Sequence, residues 1–154
     1  MIGYLSDVTL TDDPVRAARE ALVREHFESE TAQNFDSTLA TFEHPRYEII
    51  PTNQVFDGAD AVMEYYTTTR TAFPDQRHAN VRLHHTDDAV IAEFDLLGTH
   101  LGPLYGVPAT GKTFVCPVVA FFFFEGEHIA CERIYFDVLT IMTQLGVTEA
   151  PPTA

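Results

Sequence analysis

Cysteine is scarce: Cys116 and Cys131 are the only two in 154 residues. They match no CxxC spacing for zinc or redox chemistry, and two thiols make no disulfide framework. Both are expected to be reduced, buried, small apolar residues of a cytoplasmic protein. Basic residues are also few. Nine Lys and Arg face 23 Asp and Glu, a formal net charge of −14. A surface of that sign repels phosphate backbones and anionic headgroups, so neither nucleic acid nor a membrane is expected as a partner. No uncharged apolar run reaches the roughly 18 residues that span a bilayer. The longest such run, residues 114–124, is interrupted by Pro117. The start, MIGYLSDVTLTDD, has neither a basic head nor an apolar signal core, so export is not expected.

What remains is globular. Hydrophobic residues make up 45% and charged residues 21%, and the length suits one domain of roughly 100–150 residues. Such a chain buries about 68–70% of its unfolded surface and needs no metal or disulfide to fold. We read residues 1–154 as a single domain, with a core over 14–147 and a loose tail over 148–154. Asp12 or Asp13 caps a first helix that Pro14 opens, running to about Thr31 with Val15, Ala18, Leu22, Val23, His26 and Phe27 at helical spacing. Asp36 opens a short helix that ends before Pro45. Short strands follow at 46–51 and 53–56, then Asp57-Gly58 turns into a third helix over 59–72. The second half changes to strand period: 77–86, 89–100, 112–125 and 128–137, with a Gly- and Pro-rich loop over 98–111. A short helix over 138–145 closes on Gly146. Helices first and strands later give an α+β domain with N-terminal helices packed on a curved antiparallel sheet.

Gly106-Val-Pro-Ala-Thr-Gly111-Lys112-Thr113 matches the P-loop pattern letter for letter. That pattern holds phosphate only where a helix follows, because the helix N-terminus supplies the N–H groups. Here Phe-Val-Cys-Pro-Val-Val-Ala-Phe-Phe-Phe-Phe follows, which is strand chemistry. Nucleotide binding is therefore not expected.

Gly98-Thr-His100, the Gly106–Lys112 loop, the strand–Gly126–strand hairpin, and Asp137 followed by Gln144-Leu-Gly146 together resemble the SnoaL-like polyketide cyclase, or ester cyclase, branch of the nuclear transport factor 2-like superfamily. Phe73-Pro74-Asp75 after the third helix is similar too. The resemblance covers about residues 14–147. It implies a cone-shaped nuclear transport factor 2-like fold around an apolar pocket, working with no metal and no organic cofactor. It also implies an Asp acting as general acid/base, which its place before the QLG segment maps onto Asp137. The pocket His of such cyclases falls near residues 121–123, where this chain carries phenylalanines.

Side-chain alternation puts Arg133, Tyr135 and Asp137 on one strand face, and Glu132, Ile134 and Phe136 on the other. If the first face lines the pocket, Asp137 can take a proton from a carbon beside a carbonyl while Tyr135 and Arg133 polarise the oxygen. The alternative makes Asp137 a helix N-cap. His100, at the mouth of the glycine loop, is a candidate base. His44, Tyr47, Phe56, Tyr66, Phe73, Phe121 and Phe123 are candidate substrate contacts, set against an ordinary aromatic core. His84 and His85 point to opposite sides of a strand, and no HxxxH or His/carboxylate cluster stands out, so no metal is expected. His26 and His128 read as surface-placed or helix-packed. The expected activity is cofactor-free acid/base chemistry on a small apolar cyclic or polyketide-like carbonyl compound, of cyclase, isomerase or dehydratase type. A non-catalytic carrier or sensor, or a dimeric accessory protein, is the alternative. The apolar outer sheet face favours a homodimer.

Overall fold

The computed structural model describes residues 13–147; the expectations placed on residues 1–12 and on the tail after residue 147 lie outside them. Helix α1 (Pro14–Thr31) opens on Asp13, whose carboxylate accepts from the amides of Val15 and Arg16 at 2.9 and 3.5 Å. Its buried positions include Val23, His26, Phe27 and Glu30, the i, i+3, i+4, i+7 stripe of a helix packed on one side. Two of those four positions carry ionisable groups, and these shape the site. Helix α2 (Phe35–Ala40) starts at the Asn34 cap, so Asp36 sits inside its first turn and is not the cap. Strand β1 (Arg46–Ile49) stops early because Pro51 belongs to a short 3₁₀ turn. Strand β2 (Gln54–Asp57) and helix α3 (Ala59–Ala72) follow.

Strands β3 (Arg77–His85), β4 (Ala89–Thr99), β5 (Thr113–Glu125) and β6 (His128–Phe136) form a meander closed by helix α4 (Val138–Leu145). The six strands lie in the order β2-β1-β6-β5-β4-β3. All neighbours are antiparallel except β1 and β6, a parallel join that the sequence pattern does not reveal. Bulges in β3 and between β5 and β6 bend the sheet. The segment that mimics a P-loop is loop and strand, with no helix after it to hold a phosphate. Among the described residues no helix is long and apolar enough to cross a membrane.

The concave face is set by the phenylalanine run. Phe122 meets His26 and Phe27 of α1 at ring-centroid distances of 5.3 and 5.4 Å. Its strand-mates Phe114, Cys116, Val118, Ala120 and Phe124 are buried with it. Register then decides β6: Phe122 lies opposite Glu132, Ala120 opposite Ile134 and Val118 opposite Phe136. Those β6 side chains face the helices, and Arg133 and Tyr135 face outward. Burying a side chain such as Phe122 or Val23 contributes about 1.5–3 kcal/mol, so the face that carries them turns inward.

Candidate active site

Between the concave sheet and the helices lies a cavity of about 140 Å³. Its wall is mostly apolar, with Phe73 from the end of α3, Phe94 and Leu96 from β4, Phe114 and Val118 from β5, and Ile134 and Phe136 from β6. Helix α4 adds Ile141 and Met142, and the loop after β4 adds Leu104 and Tyr105. Two carboxylates break this surface, Glu30 from α1 and Glu132 from the middle of β6, both under 5% exposed.

Behind them sits a buried polar network. Glu30 is clamped by the guanidinium of Arg70, which occupies the Val62–Tyr66–Arg70 face of α3. His26 Nε2 stands 3.0 Å from Glu132 Oε2, 3.4 Å from Glu30 Oε2 and 2.8 Å from the Tyr47 hydroxyl. That hydroxyl is 2.7 Å from the hydroxyl of Tyr66. On the other side of the imidazole, Thr41 donates its hydroxyl proton to the Thr38 carbonyl at 2.6 Å. Its oxygen must then accept from His26 Nδ1–H, 2.9 Å away. The Nε2 position is left free to change protonation. Glu132 Oε2 is buried and has no aligned hydrogen-bond donor; its contact with His26 is electrostatic.

Burial and charge compete at each group. Burial lowers the His26 pKa, but the Glu132 charge and the Glu132 and Glu30 contacts overcome this and raise it to about 9. Burial raises Glu30, yet the Arg70 charge and the His26 contact hold it well below the carboxylate range. Glu132 goes the other way: burial raises it, His26 pulls it back and Glu30 raises it further. Two carboxylates in one pocket are thus pushed apart, Glu30 toward a fixed anion and Glu132 toward a proton carrier. His78 packs between Phe27 and Phe94, with Nδ1 3.1 Å from the Thr31 hydroxyl. Burial depresses it to about 4, so it is neutral.

His26, Glu30 and Glu132 bring ligand-type atoms within 4.8 Å of one another, a His/carboxylate cluster the sequence pattern does not announce. Its surroundings suit a proton better than a cation. Arg70 already neutralises Glu30, and protonated His26 balances Glu132. A divalent ion in place of one proton would leave excess positive charge in a dry site.

Residues that carry hydrogen-bond donors are also part of the lining. Tyr65 and Gln76 both belong to it, one with a phenol O–H and one with a side-chain amide N–H. Burial and the Glu30 charge raise the Tyr65 pKa, which keeps its proton in place for donation.

Several predicted site residues lie elsewhere. Asp137 is exposed and caps α4, accepting from Leu139 N–H at 3.1 Å and from the Thr140 hydroxyl at 2.8 Å. Tyr135 is 42% exposed on the outer face, against Phe121. Arg133 bonds Glu48 at 2.8 Å and lies over Phe123. Phe121 and Phe123 stack on each other on that same outer side. They share the parity of Arg133 and Tyr135 and turn away from the helices with them. His44 pairs with Asp57 at 2.6 Å on the surface. His100 is buried, but its Nδ1 accepts from Thr110 N–H at 3.3 Å; it holds the loop base and rests on Phe73. Phe73 lines the cavity, Tyr47 and Tyr66 stand behind it in the network, and Phe56 supports Tyr65 at 5.0 Å. His26 is packed inside and bonded, not placed at the surface. The sequence does carry a signal for the overlooked groups: Glu30 is four residues after His26 and seven after Val23, a charged residue on the buried stripe of a helix.

Among curated proteins none matches the chain. Solved structures do. A SnoaL-like polyketide cyclase, so described, from Jannaschia sp. CCS1 superposes with TM-score 0.78 at 22% identity, covering 91% of this chain and 97% of that one. A protein described as a polyketide cyclase from Xanthomonas campestris pv. campestris also gives 0.78, at 20% identity, covering 85% and 98%. A protein described as having a ketosteroid isomerase-like fold, from Catenulispora acidiphila and in complex with trimethylamine, gives 0.71 at 16% identity, covering 82% and 92%. At these identities the likeness is one of fold, that of the nuclear transport factor 2-like and ketosteroid isomerase-like cone. The family model for SnoaL-like polyketide cyclase matches residues 21–145, and with most of its length inside that model the chain belongs to the SnoaL-like polyketide cyclase family.

Proposed function

We propose that the protein is a general acid/base enzyme that moves protons on a small apolar carbonyl compound, with Glu132 as the base. One observation carries this reading: a buried carboxylate whose Oε2 has no aligned donor, raised in pKa, lines an apolar cavity and is paired with His26 beside the Glu30–Arg70 ion pair. The carboxylate takes a proton from the carbon beside the carbonyl. The C–H electrons form the new C=C bond and the carbonyl π pair moves to oxygen. Tyr65 and Gln76 donate to that oxygen, where the charge develops. His26 keeps Glu132 ionised between turnovers, and the Tyr47–Tyr66 pair extends the same hydrogen-bonded path. Return of the proton to another carbon gives isomerisation, attack of the enolate on a second carbonyl gives ring closure, and loss of a β-hydroxyl gives dehydration. No metal or organic cofactor takes part in any of these steps. A homodimer through the outer Phe121–Phe123–Tyr135 face and a cytoplasmic setting complete the reading.

The test is deuterium uptake. Cyclohexanone in D₂O with the protein should exchange its α-protons faster than buffer alone, followed by proton NMR, and Glu132→Gln should abolish the excess. Saturable binding with no excess exchange would replace the enzyme by a carrier.

A further inference from the structure

Resting on that reading of the cavity, we propose that the site takes a single-ring neutral ketone, and that the Leu104–Tyr105 tip of the loop after β4 sets this limit. The first ground is size. The cavity measures about 140 Å³, and an apolar protein cavity of about 150 Å³ is filled by one benzene ring. A second or third fused ring exceeds that volume.

The second ground is the loop that supplies one wall. Leu104 and Val107 exchange backbone hydrogen bonds at 3.0 and 2.9 Å. Between them Tyr105 and Gly106 have φ of +46° and +84°, a two-residue turn of the mirror-image kind. Asn, Asp or Gly normally takes the first central place of such a turn. A tyrosine there is conformationally disfavoured, and the residue is part of the cavity lining. The base of the loop is held by backbone hydrogen bonds. Leu101 and Gly102 N–H groups donate to the Ala72 carbonyl at 2.9 and 3.3 Å. His100 and Gly111 are joined by a 2.8 Å backbone bond, and the Gly102 α-carbon lies against the Thr71 carbonyl with no space for a side chain. The third ground is charge. Arg70 pairs with Glu30 and His26 with Glu132, which leaves this wall without net charge and suits a neutral ligand, while Tyr65 and Gln76 on the lining carry donors for a carbonyl oxygen.

The experiment measures binding, so it stands apart from the question of catalysis. Cyclohexanone, 1-tetralone and anthrone are neutral compounds of one, two and three rings, each with a single ketone carbonyl. Each is titrated into the protein, with the site assigned by NMR shifts of the Ile134 and Met142 methyl groups. The wild type should bind cyclohexanone at least tenfold more tightly than 1-tetralone and show no anthrone shifts, against the usual gain in affinity with apolar area. Tyr105→Gly suits the left-handed backbone and removes the ring; it should raise 1-tetralone affinity at least tenfold. Tyr105→Phe should keep the wild-type order, because the ring and not the hydroxyl sets the limit. Anthrone binding the wild type as tightly as cyclohexanone would overturn the proposal. So would an unchanged order in a folded Tyr105→Gly protein, or no methyl shifts with any of the three ketones. Binding with the expected order but no deuterium exchange would leave the size limit standing and remove the enzyme reading.

Discussion

The two faces of the β5–β6 hairpin carry similar letters and do different work. The inner face presents Glu132 to a mostly apolar cavity, with His26, Glu30 and Arg70 packed around it. The outer face presents Arg133 and Tyr135 beside Phe121 and Phe123, with Asp137 just beyond. Each face has a carboxylate, a cation and a phenol within reach. Surroundings separate them. Outside, water screens the charges and Asp137 spends its oxygens on helix capping. Inside, low dielectric lets each charge move its neighbour's pKa. Residue types alone therefore do not distinguish the two sets; the dielectric around them decides which set has its proton affinities shifted.

The sharpest break of this comparison exchanges one atom on each side. Glu132→Gln keeps the shape and removes the proposed base, and the α-proton exchange rate should fall by about 10²–10⁴-fold. Asp137→Asn, the same change outside, should leave exchange within twofold of wild type, read by the same NMR assay. Equal losses in both variants would erase the distinction between the faces.

Removing a cation tests the same contrast in stability. Arg70 pairs with Glu30 where both side chains are at most 6% exposed. Arg70→Met strands a buried anion and should cost about 3–5 kcal/mol. Arg133 pairs with Glu48 at 36% and 18% exposure, and Arg133→Met should cost about 0–1 kcal/mol. Urea unfolding of the two variants gives the ratio directly. A cost for Arg133→Met as large as that for Arg70→Met would show that the outer face is not open to water.

Titration sharpens the contrast further, because both strongly shifted histidines are inside. His26 is raised from 6.5 to about 9. Its contribution is complete below pH 6.5 and is lost as pH climbs through 9. The raised Glu132 acts in the same direction above its ordinary range. His78 is lowered from 6.5 to about 4; the unfolded chain binds a proton there that the folded one refuses, so stability falls as pH drops from 6.5 toward 4. Lowered Glu30 adds to the acid loss below about 4.5. The unfolding free energy should therefore peak near pH 6.5, with limbs that steepen by up to about 1.4 kcal/mol per pH unit for each titrating group. His26→Gln should flatten the alkaline limb and His78→Gln the acid limb, measured by urea melts at stepped pH.

The fold was largely legible in the letters; of the candidate site, Phe73, Tyr47 and Tyr66 were, and the buried ionisable groups were not. Helical spacing in α1 and α3, strand alternation in the second half, the Asp13-Pro14 start and the Gly146 stop each act locally, so a single sequence displays them. The parallel β1–β6 join is a long-range pairing and leaves no local trace. The parity of β6 is visible, since Arg133, Tyr135 and Asp137 do share a side. Which parity faces inward depends on what α1 sets against Phe122. An all-phenylalanine run satisfies either choice, so Asp137 and Glu132 could be told apart only in three dimensions. His26 and Glu30 on the buried stripe of α1 are the one trace of the site that local periodicity does hold.

The smallest expected effect returns to Asp137. Its carboxylate satisfies the Leu139 amide and the Thr140 hydroxyl at the start of an eight-residue helix. Four N–H groups at a helix start have no partner within the helix, and a side-chain cap satisfies one of them. Asp137→Ala should therefore lower stability by about 1 kcal/mol. Helix α4 carries Ile141 and Met142 on the cavity wall, so the same change loosens that wall from a distance. Cyclohexanone affinity should weaken slightly while the rate of exchange on bound ketone stays the same. A KM effect without a kcat effect marks a residue that positions a wall. A fall in kcat on saturating ketone would move Asp137 back among the reacting groups and reverse the assignment of the two faces.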